Sequence, residues 1–325
     1  MPQSLILNLV VQDAIAPQHL QGYSLQQLFW DLVEAVDFDL GHILRYDEHN
    51  CAYRFSALQV STLPVSTLQT ISASSFSKPK LAQSALPKSS VRPIHNSRPS
   101  SQKNTDLTDL KYICDTPLEP QTECWWRIAL LDDALFDHLA VLWNQIGHET
   151  FQLGPASVRI THATIETDAG GWANSCSYQD IYERASSYER DIHLQMVTPI
   201  AFHQGDRITP LPTAEAIFQP LRKCWNHYST LAFAPSLINS IIPSSFDIQT
   251  GPICDVRQQS HDVILGCTGH VSFRISVDDP LTTKRINTLA DYTQYCGVGY
   301  NTRLGLGVIK RTGASAVAVG QSTVN

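Results

Sequence analysis

At 325 residues the chain has room for about two domains, at roughly 150 residues each. Hydrophobic residues make up 43% and charged residues 16%, a globular composition that excludes a wholly disordered or coiled-coil chain. The net charge of −7 and a pI near 5.9 mean that any polyanion must be held by a local basic patch, and bulk charge alone predicts neither RNA nor DNA.

The opening run MPQSLILNLVVQDAIAP has a short apolar core, no basic n-region, and an early Asp13 and Pro17. It reads as a first strand from Ser4 to Val11, not as a signal peptide. No stretch approaches the ~20 apolar residues of a membrane helix. The eight cysteines, at 51, 114, 124, 176, 224, 254, 267 and 296, form no CxxC pair. That pattern speaks against zinc ribbons, thioredoxin-type motifs and disulfide scaffolds, so a reduced cytoplasmic protein without a metal or cofactor is expected.

Leu25, Leu28, Phe29, Leu32, Val33 and Val36 recur at helical spacing. Leu40, Ile43 and Leu44 continue the stripe after a break at Asp37 to Asp39. On the opposite face His42, Arg45, Tyr46 and His49 fall three, four and seven apart, one line of chemistry-bearing groups if the helix runs that far. Ala52 to Val60 reads as a strand. Serines crowd 72 to 101 and prolines stand at 79, 87, 93 and 99. The stretch from about 61 to 105 is therefore an insertion, with Lys78, Lys80, Lys88, Arg92, Arg98 and Lys103 making it locally basic. It is either a solvated low-complexity loop or an arm touching a phosphate backbone.

Trp125 to Leu131 reads as a strand, Leu135 to Trp143 as an amphipathic helix and Val158 to Glu166 as a closing strand, with a joint at Gly170-Gly171-Trp172. This order fits a ferredoxin-like unit. The second half repeats the theme, with a strand at His193 to Val197 and a turn-rich segment around Gly205, Pro210 and Pro212. A helix at Glu215 to Tyr228, a strand at Gly269 to Ile275, a helix at Thr282 to Tyr295 and a strand at Val308 to Thr312 follow. The expected fold is α+β: two tandem ferredoxin-like, RRM-like domains, 1–168 and 169–325, with a glycine-rich loop at 297–307.

That loop, GVGYNTRLGLG, is the most specific segment of the chain. A dinucleotide fingerprint would need glycine at Thr302 and would open a helix; a P-loop would carry lysine and precede a helix. Here a helix comes before the glycines and a strand after. Gly297, Gly299, Gly305 and Gly307 allow positive φ and close backbone approach, either for a tight turn or for contact with a phosphate ribbon. Tyr300, Asn301, Thr302, Arg303 and, beyond the loop, Lys310 complete the candidate contact set.

These residues resemble the CRISPR-associated repeat-processing endoribonucleases, RAMP-type proteins that cut precursor CRISPR RNA into guide units. Thr198-Pro199 through Phe202 and Gly205 is similar to the family's TP..F..G segment, and FQPLRKCWNHY from Phe218 to Tyr228 to its helix ending in WN. Gly266 to Arg274 resembles its glycine-containing strand, and Leu40 to Gln59, with YRFSALQ, the stretch that carries LH and the FTxSPLQ strand. Only the serine-rich insertion has no counterpart. The resemblance implies cleavage of repeat RNA by attack of its own 2′-hydroxyl, leaving a cyclic phosphate and using no metal. It also implies a histidine after Leu44, where this chain has Arg45. Arg45 can stabilise a phosphorane but is a poor base, which turns attention to His42 and His49, with Tyr46 to orient the nucleophile. The alternative the resemblance leaves open is a catalytically reduced crRNA-binding subunit of an effector complex, with other Cas proteins as partners.

Overall fold

The computed structural model describes residues 2–20, 22–46, 52–61, 116–132, 136, 139, 143, 146, 149–164, 172–253 and 264–313. His49, the insertion, Gly170 and Gly171 lie outside these.

The first strand, β1 (Gln3–Val11), buries Leu5, Leu7, Leu9 and Val11 on one face. Helix α1 (Tyr23–Glu34) covers them with Leu25, Leu28, Phe29, Leu32 and Val33. The expected break falls at Asp37, whose Oδ1 accepts from the Leu40 N–H at 2.9 Å and starts a new helix, α2 (Phe38–Tyr46). The single strand expected from Ala52 to Val60 is two short ones, β2 (Tyr53–Phe55) and β3 (Gln59–Val60), both laid against β4 (Glu123–Leu130). Between them the Ser56 and Ala57 carbonyls turn to the Trp126 indole and the Gln59 amide instead of the ladder. The hairpin β5 (Thr150–Leu153) and β6 (Ala156–Thr164) completes the first half, and β7 (Asn174–Ser175) pairs with the start of β1.

In the second half, α3 (Tyr178–Arg184) precedes β8 (Asp191–Ile200), the hairpin β9 (Phe202–Gln204) and β10 (Arg207–Thr209), and α4 (Ala214–Tyr228). Then come β11 (Ile241–Pro252), β12 (Leu265–Ile275), α5 (Pro280–Cys296) and β13 (Ile309–Thr312). Helix α3 and strand β11 were not anticipated. The first begins at a reciprocal capping box between Ser177 and Asp180. The second is an edge strand interrupted by Pro243 and mostly exposed, so it lacks the apolar alternation that announces a strand.

The sheets run β2–β4–β1–β6–β5 and β11–β12–β8–β13, antiparallel throughout. In chain order both read second, third, first, fourth, with β5 added to one edge of the first. The same permutation occurring twice establishes the tandem ferredoxin-like fold. Each sheet packs its helices over a separate apolar core, and Tyr228 touches both. In the first, Trp143 is fully buried and its indole donates to the Leu32 carbonyl at 3.1 Å; truncating it would cost about 3–5 kcal/mol. No helix of the described residues is long and apolar enough to cross a membrane.

At the joint, the Ser4 hydroxyl and the Arg127 Nε both donate to the Trp172 carbonyl, at 2.5 and 3.3 Å. The Trp172 ring lies 5.5 Å from the Arg127 guanidinium and 4.9 Å from the Lys310 ammonium. Cations from both halves thus sit on one indole.

Candidate active site

Helix α2 crosses α1 at Gly41, where there is no room for a side chain. A Cβ at 41 would collide with the Glu34 Cγ and lie 2.7 Å from the Glu34 nitrogen. This crossing, with buried Leu44 one turn on, decides which way each side chain of α2 faces. Arg45 turns to α1: its Nε donates to Glu34 Oε1 at 2.8 Å, and its Nη2 donates to Glu34 Oε2 and Asp31 Oδ1, both at 2.9 Å. Its guanidinium also lies 5.4 Å from the Trp30 ring centre. The hydrogen bonds it donates to Glu34 raise its pKa still further, so it stays a cation. Two carboxylates offset that charge, and the group anchors α2 to α1.

His42 and Tyr46 turn the other way, exposed and side by side, with ring centroids 4.6 Å apart. The one-face arrangement expected for His42, Arg45 and Tyr46 therefore splits. Spacing of three and four is compatible with one face, but Arg45 is long enough to be drawn around the helix by the two carboxylates.

The glycine-rich turn leaves α5 at Gly297 and crosses to β13. Five of its backbone N–H groups are spent within the protein. Gly297 donates to Thr293, Val298 to Gly307, Tyr300 to Ala201, Leu304 to Asn301 and Gly307 to Pro199, while Val308 donates to the Thr198 hydroxyl. Gly307 has φ +76°, and a Cβ there would overlap the Val298 carbonyl oxygen. The glycines thus let backbone pack on backbone. The turn also seals the two halves together: the Gly22 N–H donates to the Leu304 carbonyl at 3.0 Å, and Gly305 approaches the Ser56-Ala57 backbone.

What the turn presents outward is its tip. Tyr300, Asn301, Thr302 and Arg303 are all half-buried, and the Tyr300 ring meets His203 edge-on at 5.5 Å. Asn301 adopts the left-handed conformation at φ +56°, and its side-chain nitrogen is buried without a hydrogen-bond partner. Such a donor is costly to leave unmet. Lys310 is not part of this tip, since it stands over Trp172 at the joint.

Two cations escaped the sequence reading. Arg54 donates through Nε to the Cys296 carbonyl at 2.9 Å, and Arg127, nearly fully buried, reaches the Gln294 carbonyl with Nη2. Both run from the first sheet to the end of α5, just before the glycines. An arginine inside the apolar run WWRIAL was the available signal for the second. Among the described residues no cluster of three His, Cys, Asp or Glu side chains is placed to hold a metal.

Helix α1 spaces these features. Its first residues meet the glycine-rich turn, its last ones carry α2, and its 12 residues span roughly 18 Å.

Two ferredoxin-like halves closed by a glycine-rich turn define the RAMP class of proteins. The family model of the CRISPR Cas6 N-terminal domain matches residues 1–84 and 81–183, and that of the CRISPR-associated endoribonuclease Cas6 matches residues 194–309. The chain belongs to the Cas6 family. Among solved structures it is similar to a Cas6 product complex, at TM-score 0.65 and 16% identity over 96% of this chain and 100% of that one. Thermus thermophilus Cas6 follows at TM-score 0.61 and 16% identity, over 96% of this chain and 98% of that one. A Cas6-related protein from Pyrococcus furiosus has TM-score 0.52 and 9% identity, over 97% and 100%. These likenesses are of fold. No curated protein matches the sequence.

Proposed function

We propose that this protein is a metal-independent endoribonuclease that cuts CRISPR repeat RNA within precursor transcripts, in the cytoplasm, to give guide units. The observation that carries the reading is the exposed His42–Tyr46 pair on α2 of a chain that belongs to an endoribonuclease family. Relatives described as a product complex and a substrate mimic complex support RNA as the ligand.

The 2′-hydroxyl of one nucleotide attacks the adjacent phosphorus, and the bond to the 5′-oxygen of the next nucleotide breaks. The upstream product keeps a 2′,3′-cyclic phosphate. His42 accepts the hydroxyl proton, the role imidazole suits near neutrality, and water returns a proton to the leaving oxygen. Tyr46, in ring contact with His42, orients the nucleophile. Arg45 is assigned to holding α2 in place, through Glu34 and Asp31. His49 lies outside the described residues and is given no part. The tip Tyr300, Asn301, Thr302 and Arg303 binds RNA about one α1 length away. Gly297, Gly299, Gly305 and Gly307 shape that tip, and Lys310 lines the joint where RNA leaving the tip would pass.

The test is incubation with the cognate repeat in EDTA, read on a sequencing gel beside His42→Ala. A single cut with a cyclic-phosphate end, lost in the variant, is the expected result. Tight binding without a cut at high enzyme would instead identify a guide-holding subunit.

A further inference from the structure

His42 is the middle rung of a ladder. Phe38, His42 and Tyr46 follow one another every fourth residue along α2, with ring centroids 6.2 and 4.6 Å apart and planes tilted by 37° and 44°. Phe38 is 68% exposed and Tyr46 70%. The opposite face, Gly41 and Leu44, makes the packing contacts of this helix. Large aromatic groups left uncovered in a row mark a contact surface.

The charges around the ladder narrow what it can contact. Arg45 is the only cation in α2, and it is held by Glu34 and Asp31. Asp39 stands in the first turn, and Asp37 caps the helix through Leu40. With its one arginine paired, this surface has little positive charge to track a phosphate backbone beyond His42 itself. It offers ring faces, and an unpaired base has a ring face of its own. Base stacking on aromatic side chains is tolerant of sequence and needs a ring face, not a cation, at the point of contact.

We propose that Phe38, His42 and Tyr46 form a stacking platform for the unpaired bases that flank the cut nucleotide, with Phe38 as a substrate-positioning residue. The proposal rests on the repeat-cutting reading, which places the scissile phosphate at His42. Bases stacked on the exposed faces of Phe38 and Tyr46, to either side of His42, would splay the backbone between them and help align the 2′-hydroxyl with the bond it attacks. In-line alignment of this kind is the geometric requirement of the reaction.

The experiment uses repeat RNA with 2-aminopurine at each unpaired position near the cut and a 2′-deoxy nucleotide at the cut, so that binding is read without cleavage. Wild-type protein should quench the probe at one or two positions. Phe38→Ala and Phe38→Leu should both relieve that quench and weaken binding about 10-fold, while Phe38→Trp retains it. With cleavable RNA the same two variants should raise KM and lower kcat at a stacked position, leaving the cut site unchanged.

Quenching untouched by Phe38→Ala, with cutting intact, would overturn the platform and leave the nuclease reading standing. A wild type that dimerises through this face, with Phe38→Leu restoring what Phe38→Ala loses, would assign the rings to a second copy. Failure of the wild type to bind repeat RNA at all would remove the nuclease reading and the platform with it.

Discussion

Arg45 and Glu34 form a two-pronged ion pair, Nε to Oε1 at 2.8 Å and Nη2 to Oε2 at 2.9 Å, which ties the second helix of the chain to the end of the first. The residue standing where the family resemblance implies a histidine therefore has a structural task. A guanidinium so engaged stays charged and cannot take a proton.

Arg45→Ala should lower stability by about 1 kcal/mol, since the pair is partly exposed and screened, and the melting temperature by about 2 °C. Arg45→Lys should not restore it, because an ammonium cannot fork onto both carboxylate oxygens. Thermal melts of the three proteins check this. A loss of cutting in Arg45→Ala with an unchanged melt would show instead that the guanidinium acts on the substrate.

His42→Ala should reduce the cleavage rate by about 10²–10⁴, the range for losing a positioned proton acceptor, with repeat affinity preserved. Single-turnover cleavage and a filter-binding titration measure the two quantities separately. Imidazole added to the variant should recover part of the rate.

Gly307→Ala should destabilise far more than Gly205→Ala. Both positions have positive φ, +76° and +61°, so both carry the left-handed penalty of roughly 1–2 kcal/mol. Only at 307 does the new methyl also overlap backbone, at the Val298 carbonyl; around 205 nothing lies within 4 Å. Denaturant titrations should rank them in that order, with Gly307→Ala also losing repeat affinity as the tip collapses.

Cys224 offers a pH readout of the same region. A hydrogen bond from Cys296, the nearby Arg54 cation and the Tyr292 hydroxyl at 3.3 Å outweigh burial and pull its thiol down to about 6, while Cys296 is pushed up. A depressed acid contributes stability that is present above the unfolded thiol value and is lost as pH falls through about 6. Haloacetamide labelling of Cys224 should accordingly level off at lower pH than that of an ordinary thiol, near 8.5. Cys296→Ala should move that plateau upward, and a Cys224 labelling rate still climbing at pH 9 in the wild type would refute the assignment.

The helices with long apolar stripes, and the strands with buried alternation, were legible from the residues because period alone reports burial. Strand β11 was not: an exposed edge with Pro243 and little alternation leaves no such mark. The line of His42, Arg45 and Tyr46 was legible as a spacing but not as a face, since Arg45 was drawn away by carboxylates eleven and fourteen positions earlier. The glycine-rich turn was found by its composition, yet its N–H groups serve Thr293, Ala201 and Pro199, partners that only the folded chain brings near. An acidic bulk charge predicts no RNA, so the proposed RNA contact rests on a few local groups such as Asn301 and Arg303 and not on the overall field.

The place where the long basic insertion enters the fold has a practical meaning. Its departure point is fastened, with Val60 paired to Cys124 and the Ser61 N–H donating to the Glu123 carbonyl at 2.8 Å. Its return is fastened too, where Leu118 exchanges two hydrogen bonds of 2.9 Å with Ile15. Both anchors lie among the described residues. With these anchors in place, a glycine-serine bridge a tenth as long as the insertion of about 61–105 should join the two sides and recover about 2 kcal/mol of loop-closure entropy. The same seam would accept a fluorescent reporter or an affinity handle, giving a tagged nuclease with both termini untouched.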